Sequence, residues 1–160
     1  MQLSKNLSLA EMIRSESAKR NGISNMPTEE HLANMKKLAI NVFQPIRERF
    51  NVPIHISSGY RSLELNKAIK GSSKTSQHAL GQAIDIDMDG TKITNKQIFD
   101  FIKDNLEFDQ LLAEFPKNGI LSWVHVSFDP NKEQRNQILV VKKIKSKIIY
   151  IPYKSDKDLI

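Results

Sequence analysis

The sequence predicts an α+β class, a single domain with N-terminal helices packed on a mainly antiparallel sheet. Three observations carry this expectation. Helical periodicity fills the first fifty residues, alternating periodicity follows Pro53, and short apolar runs then succeed one another with little helix between them. A parallel sheet would instead need strict alternation of strand and helix. At 160 residues, 39% hydrophobic and 26% charged, the chain can bury one core, and it shows neither a repeat nor a linker-like stretch.

The elements follow in order. Ser8 with Glu11 three residues on has the form of a capping box, which starts a helix over residues 9–20, and Gly22 stands where a helix commonly stops. A second helix starts at Thr28. Leu32, Met35, Leu38, Ala39, Val42 and Phe43 recur at three- and four-residue steps and make one buried face, which Pro45 kinks or interrupts. Ile54, Ile56 and Ser58 share a strand face opposite His55 and Ser57. Residues 62–69 read as a short helix, 71–75 as loop by composition, and 83–88 as a strand. Thr94 caps a helix to Asn105, with Ile98, Phe99, Ile102 and Leu106 on one face. Strands are expected at 111–115, 122–128, 138–141 and 147–151.

Twenty-four Lys and Arg against eighteen Asp and Glu leave a charge of +6, and there is no cysteine. Disulfides and thiolate sites are thereby excluded, so a metal would rest on His, Asp or Glu. Residues 1–130 hold 16 basic and 15 acidic side chains, whereas residues 131–160 hold 8 and 3. We therefore expect a nearly neutral body over 1–130 and a basic strand or hairpin extension of the same domain over 131–160. Only Tyr150 and Tyr153 are interleaved with that basic end to stack bases, so no specific nucleic-acid partner is expected. The first residues lack the order of a secretory signal, and no run approaches the roughly 18 apolar residues of a membrane span. The expectation is a product made in the cytoplasm whose extracellular action follows lysis, non-classical export or delivery in a virion.

Two of the four histidines stand in unusual company. His78 closes a polar loop and Asp85 follows seven positions later on a strand otherwise made of Ala, Ile and Met. A carboxylate there needs a partner, because an ionised group in an apolar setting is costly unless paired or metal-bound. Gly81 allows a turn that brings the imidazole back beside it. His125, in Trp123-Val124-His125-Val126-Ser127, lies on a second apolar strand. Two histidines and one carboxylate are a common zinc set that leaves a fourth position open, as catalytic sites do. The same spacing also suits packed, hydrogen-bonded core histidines. His31, in the first turns of a helix, and His55, beside Ser57, read as surface or structural residues.

Ser76-x-His78-x-x-Gly81-x-Ala83-x-Asp85 resembles, at every fixed position, the S-x-H-x-x-G-x-A-x-D motif of the zinc D-alanyl-D-alanine carboxypeptidase and L-alanyl-D-glutamate endopeptidase family, which includes phage endolysins and shares the Hedgehog fold. Ser58-Gly59-Tyr60-Arg61 is similar to its S-G-[YF]-R segment and Trp123-Val124-His125 to the stretch supplying its last ligand, so the likeness spans about residues 3–128. The resemblance implies one zinc ion on His78, Asp85 and His125. It also implies Arg61 on the substrate carbonyl or carboxylate, where a guanidinium offers paired donors to developing negative charge, and Ser76 near the substrate. It implies hydrolysis of a peptide bond in peptidoglycan stem peptide, D-Ala-D-Ala or L-Ala-D-Glu. The lysines at 142, 143, 145 and 147 then offer attraction to an anionic cell wall.

One departure stands out. Many members of that family carry an acid three residues before the last histidine, where this chain has Ser122, whose hydroxyl is a poor base at neutral pH. Glu114, in Asp109-Gln110-Leu111-Leu112-Ala113-Glu114-Phe115, is the substitute we expect, since an antiparallel neighbour brings it beside His125. Asp87 and Asp89 are rivals, the first sharing a strand face with Asp85 and the second reading as part of a turn with Gly90. Without an acid at 122, the alternative is a non-catalytic zinc domain that binds cell wall or serves as a virion component.

Overall fold

In the computed structural model of the chain, which describes residues 1–70 and 75–160, capping residues cut the N-terminal third into short helices. Gln2–Ser4 (β1) and Leu7–Ser8 (β2) first pair as a small antiparallel ribbon. Leu9–Ile13 (α1) then begins at the expected capping box: Ser8 Oγ accepts from the Glu11 amide, and the Glu11 carboxylate accepts from the Ser8 amide. The single helix expected over 9–20 is in fact two. Arg14 is extended, and Ser15 caps a new helix, Glu16–Asn21 (α2), by accepting from the Ala18 amide. A side chain at 15 that bonds the backbone three residues on competes with continuing the first helix. Gly22 closes α2 in the left-handed conformation.

Thr28 caps Glu29–Leu38 (α3), which runs through a π-helical turn, Ala39–Phe43, into Gln44–Phe50 (α4). Pro45 has no N–H to give the turn before it, and the widened turn sits where that bond is missing. The chain thus stays helical to Phe50 rather than ending at the proline.

Six strands make the main sheet in the order Ile56–Ser58 (β3), Ala83–Ile86 (β4), Trp123–Ser127 (β6), Gln110–Glu114 (β5), Gln137–Ile144 (β7) and Lys147–Pro152 (β8). Neighbours are antiparallel except β5 and β7, which run parallel because the chain crosses from β6 past its neighbour before returning. Leu63–Ala68 (α5), capped by Ser62, lies between β3 and β4, and Asn95–Asn105 (α6), with a Thr94–Gln97 capping box, between β4 and β5. Of the loop expected at 71–75, residues 71–74 lie outside the described residues and Thr75 is in a turn.

Alternation along the strands gives the sheet two unlike faces. Ile84, Ile86, Leu111, Ala113, Val124 and Val126 are buried against Met35, Leu38, Val42 and Phe43 of the long helix and Ile98, Phe99 and Ile102 of α6. Each such side chain contributes roughly 1.5–3 kcal/mol on burial. The hairpin β7–β8 and the last turn also reach this core through Val140 and Leu159. The other face carries Asp85, His125, Leu112 and Glu114, and among the described residues no α-helix lines the cleft above it, which Arg61 and 3-10 turn residues flank. Among the described residues, no helix is long and apolar enough to cross a membrane.

Candidate metal centre

Two glycines allow the backbone approaches on which the site depends. Gln77–Leu80 forms one 3-10 turn closed by Gly81 at φ +70, and a Cβ there would stand 2.5 Å from the His31 carbonyl oxygen of α3. Only glycine lets the turn press against that helix and send the chain straight into β4. At Gly59 a Cβ would come within 2.4 Å of the Met12 carbonyl oxygen. The close approach fixes the following segment, whose Tyr60 amide donates to Met12 O at 2.7 Å and whose Arg61 amide donates to His78 O at 3.2 Å.

These contacts aim His78. Its Nδ1–H donates to the Gly59 carbonyl oxygen at 2.7 Å, which leaves Nε2 as the free lone pair. Burial keeps this imidazole from taking a second proton, lowering its pKa despite the neighbouring Asp85. On the sheet, Asp85 and His125 are paired across β4 and β6. The three donor atoms then form a small triangle: His78 Nε2 to Asp85 Oδ1 3.3 Å, His78 Nε2 to His125 Nδ1 3.2 Å, and His125 Nδ1 to Asp85 Oδ1 2.8 Å. Ligands at 2.0–2.1 Å from a tetrahedral zinc stand about 3.3–3.4 Å apart, so the set fits one small cation of that kind. A neutral nitrogen lone pair pointed at a second nitrogen and a carboxylate is satisfied by a proton on His125 Nδ1 or by a cation among the three. These three residues could hold a metal ion.

The triangle sits in a cleft of about 790 Å³ lined also by Arg61, Ser76, Glu114, Leu112 and Trp123. Burial works against ionisation of Asp85, but the two imidazoles outweigh it and hold the carboxyl well below the usual carboxylate range. Glu114, on β5 opposite Trp123, is 9% exposed and is pushed up to about 7, first by burial and then by the charge of Asp85, with His125 opposing. Arg61 reaches the cleft half-buried. Its Nε is buried without a hydrogen-bond partner among the described residues, and burial lowers its pKa while Asp85 raises it. Ser76 opens the 3-10 turn through its carbonyl, which accepts from the Ala79 amide at 3.0 Å.

Ser122 does not line the cleft. Its hydroxyl donates to the Phe115 carbonyl at 3.1 Å and its amide to Glu114 O at 3.0 Å, so it builds the β5–β6 connection that carries Glu114. The rivals lie elsewhere: Asp87 Oδ1 accepts from the Asp89 amide and from Asn95, away from the triangle. His31 Nδ1 meets the Tyr60 hydroxyl at 3.0 Å behind Gly81, and exposed His55 meets Asp87 O at 3.1 Å.

Sequence reasoning missed one layer. Asp109, fully buried, accepts from Arg135 Nε and Nη2 at 2.8 and 2.7 Å and from Gln77 Nε2 at 2.9 Å, tying the residue before His78 to the loop after β6. An acid at the head of an apolar strand was the available signal. Its partner, 26 positions away, was not marked.

A protein-family model described as Peptidase M15 matches residues 5–127, which contain the whole triangle, Arg61 and Glu114. The chain belongs to the peptidase M15 family. M15 peptidases are zinc-dependent, and the His-Asp-His set of this M15 chain suits that ion. No curated protein matches it.

Proposed function

We propose that this M15 chain hydrolyses a peptide bond in the stem peptide of bacterial peptidoglycan, as a D-Ala-D-Ala carboxypeptidase or an L-Ala-D-Glu-type endopeptidase, with one zinc ion on His78, Asp85 and His125. One observation carries it: a buried carboxyl without a donor among the described residues, Glu114, opens into the same cleft as the donor triangle and Arg61. Held there, a zinc ion would supply Lewis acidity toward a scissile carbonyl and a water. Glu114 accepts the proton of that water and returns it to the leaving amine, and a group poised near 7 is matched to both transfers. Arg61, whose Nε lacks a partner among the described residues, offers its N–H groups to the oxygen that becomes negative. Gly59 and Asp109 hold His78 and its loop in place.

The action we propose takes place at the cell wall, after lysis, non-classical export or virion delivery, with the lysines of residues 131–160 adding attraction. Muropeptides from purified peptidoglycan, incubated with the protein with and without a chelator, test this by mass analysis. New chelator-sensitive fragments are expected, and their masses name the bond. Unchanged muropeptides with zinc bound would favour the second reading, a non-catalytic cell-wall-binding or virion domain. That reading is motivated by Ser122, which is engaged with Phe115 rather than facing the cleft.

A further inference from the structure

Beside the donor triangle the cleft changes character, and the change comes from the C-terminal hairpin. Strand register puts four residues in one row on the open face: Trp123 opposite Glu114, Glu114 opposite Val141, and Val141 opposite Tyr150. All four line the cleft. With strands about 4.8 Å apart, the Cα atoms of Trp123 and Tyr150 stand roughly 14 Å from one another. Glu114 and Val141 therefore form the floor of a trough whose two walls are an indole and a phenol. Phe115 packs on Trp123 with ring centroids 5.3 Å apart, held in the left-handed region at φ 46 while its amide donates to Val141 O at 2.8 Å. Tyr150 is 59% exposed and its neighbour in the wall, Ile148, 53%. Large apolar side chains this open on a cleft wall have an unfilled surface beside them.

The other end of the cleft is polar, with Gln77, Gln82, Gln110, Lys132 and Arg135. The trough thus differs from the rest of the site in what it can accept. Its walls suit alkyl groups, and the Glu114 carboxyl on its floor repels an acid. Tyr150 and Glu114 line the same cleft, and burial and the charge of Glu114 raise the phenol's pKa. Val141 and Tyr150 also lie beyond residues 5–127, so the family match does not supply this wall.

We propose that Trp123, Val141 and Tyr150 form a subsite beside Glu114 that takes the uncharged alkyl side chain of a peptide residue flanking the scissile bond and turns away an acidic one. This rests on the peptidase reading above and names the kind of residue the site selects. Hydrophobic contact with one larger alkyl group separates substrates by about tenfold or more.

Trp123 is the chain's single tryptophan, so its fluorescence reports on the trough directly. The zinc-loaded Glu114→Gln chain is titrated with peptides Ala-X-Ala, where X is Gly, Leu or Glu in L and D forms, and the wild type is assayed for hydrolysis of the same peptides in parallel. In the Glu114→Gln chain the Leu peptide in one hand is expected to bind at least tenfold more tightly than the Gly peptide, and the wild type, which keeps the carboxyl, is expected to hydrolyse the Glu peptide at least tenfold more slowly than the Leu peptide. Tyr150→Ala should collapse the Leu-over-Gly preference below threefold, and Tyr150→Phe should keep it, since the ring rather than the hydroxyl makes the wall. Tyr150 is exposed on an edge strand, and an unchanged circular dichroism spectrum certifies that the variants fold. Equal affinities for Gly and Leu, no fluorescence change with any peptide, wild-type hydrolysis of the Glu peptide as fast as of the Leu peptide, or a preference that survives Tyr150→Ala would each overturn the subsite. Tighter binding of a peptidoglycan disaccharide than of the Leu peptide would overturn it in favour of sugar stacking. Absence of hydrolysis with the binding preference intact would instead sink the peptidase reading and leave the subsite standing.

Discussion

Asp85 and Glu114 are both acids on the open face of one sheet, both largely buried, and both within the same cleft, yet their surroundings push them in opposite directions. Asp85 has two imidazoles at 2.8 and 3.3 Å and stays ionised. The Glu114 carboxyl, two strands away from it, accepts no hydrogen bond from any described residue, and burial lifts it to about 7. The difference lies in what each strand neighbour offers. Asp85 is paired with His125, whereas Glu114 is paired with Trp123 and Val141, which have no charge to give. On the proposed reading one carboxylate holds a cation and the other exchanges a proton, a division of labour that a separation of pKa values between neighbouring acids commonly marks.

The strongest challenge to this contrast is removal of a member of the donor triangle. His78→Ala takes away the imidazole aimed by Gly59, and the remaining two donors cannot enclose an ion. Metal analysis of the purified variant should show zinc near zero, and activity on peptidoglycan should fall by about a thousandfold or more. Full zinc in that variant would remove His78 from the set. Glu114→Gln is the complementary case. It keeps the shape and the zinc, and turnover should drop by about 10²–10⁴-fold, the range for loss of a positioned acid–base group. Near-normal turnover would move the base elsewhere.

A third measurement tests the Glu114 side without any substrate. Its folded pKa of about 7 lies above the ordinary 4.5, so the folded chain holds the proton more tightly than the unfolded chain. The stability tied to this proton is fully present below pH 4.5 and is lost as the pH rises through 7, by about 3 kcal/mol at most. Glutamine has no proton to lose. In metal-free protein, Glu114→Gln should therefore gain on the wild type in urea midpoint as the pH rises from 4.5 to 8, while the other groups titrate alike in both chains and cancel. A constant gap across that range would mean that Glu114 is not held in an ion-disfavouring environment.

What could be read from residue order divides along the same line. Features set by neighbours in sequence were plain: the Ser8–Glu11 box, the Thr94 cap, and the alternation that puts His125 and Glu114 on one face. The break at Ser15 was hidden because a serine caps or continues a helix according to a tertiary context that sequence does not carry. The parallel pairing of β5 with β7 was likewise hidden, since it depends on where the chain lands after a long excursion beyond β6. The donor triangle could be anticipated because its motif includes the glycine that makes its turn. The Asp109–Arg135 pair and the Tyr150 wall could not, because each joins segments that only the finished sheet brings together.

The smallest expected effect concerns the outer rim of the hairpin rather than its wall. Lys142 is tied to the Ile160 carbonyl at 2.8 Å, so its removal would disturb the end of the chain as well as the charge. Lys143, Lys145 and Lys147 are exposed, and replacing all three with glutamine removes half of the net +6 with little effect on packing. Attraction to an anionic cell wall acts through screened charges, with a Debye length of about 8 Å at physiological ionic strength and about 3 Å at 1 M. Cosedimentation with cell walls should therefore weaken a few-fold in the triple variant at low salt, and the difference should vanish near 1 M. Hydrolysis of a small soluble peptide should be the same in both chains, because these ammonium groups do not line the cleft. A salt-independent loss of wall binding would place the effect in specific contacts, and equal binding at low salt would leave the basic rim without a role in wall residence.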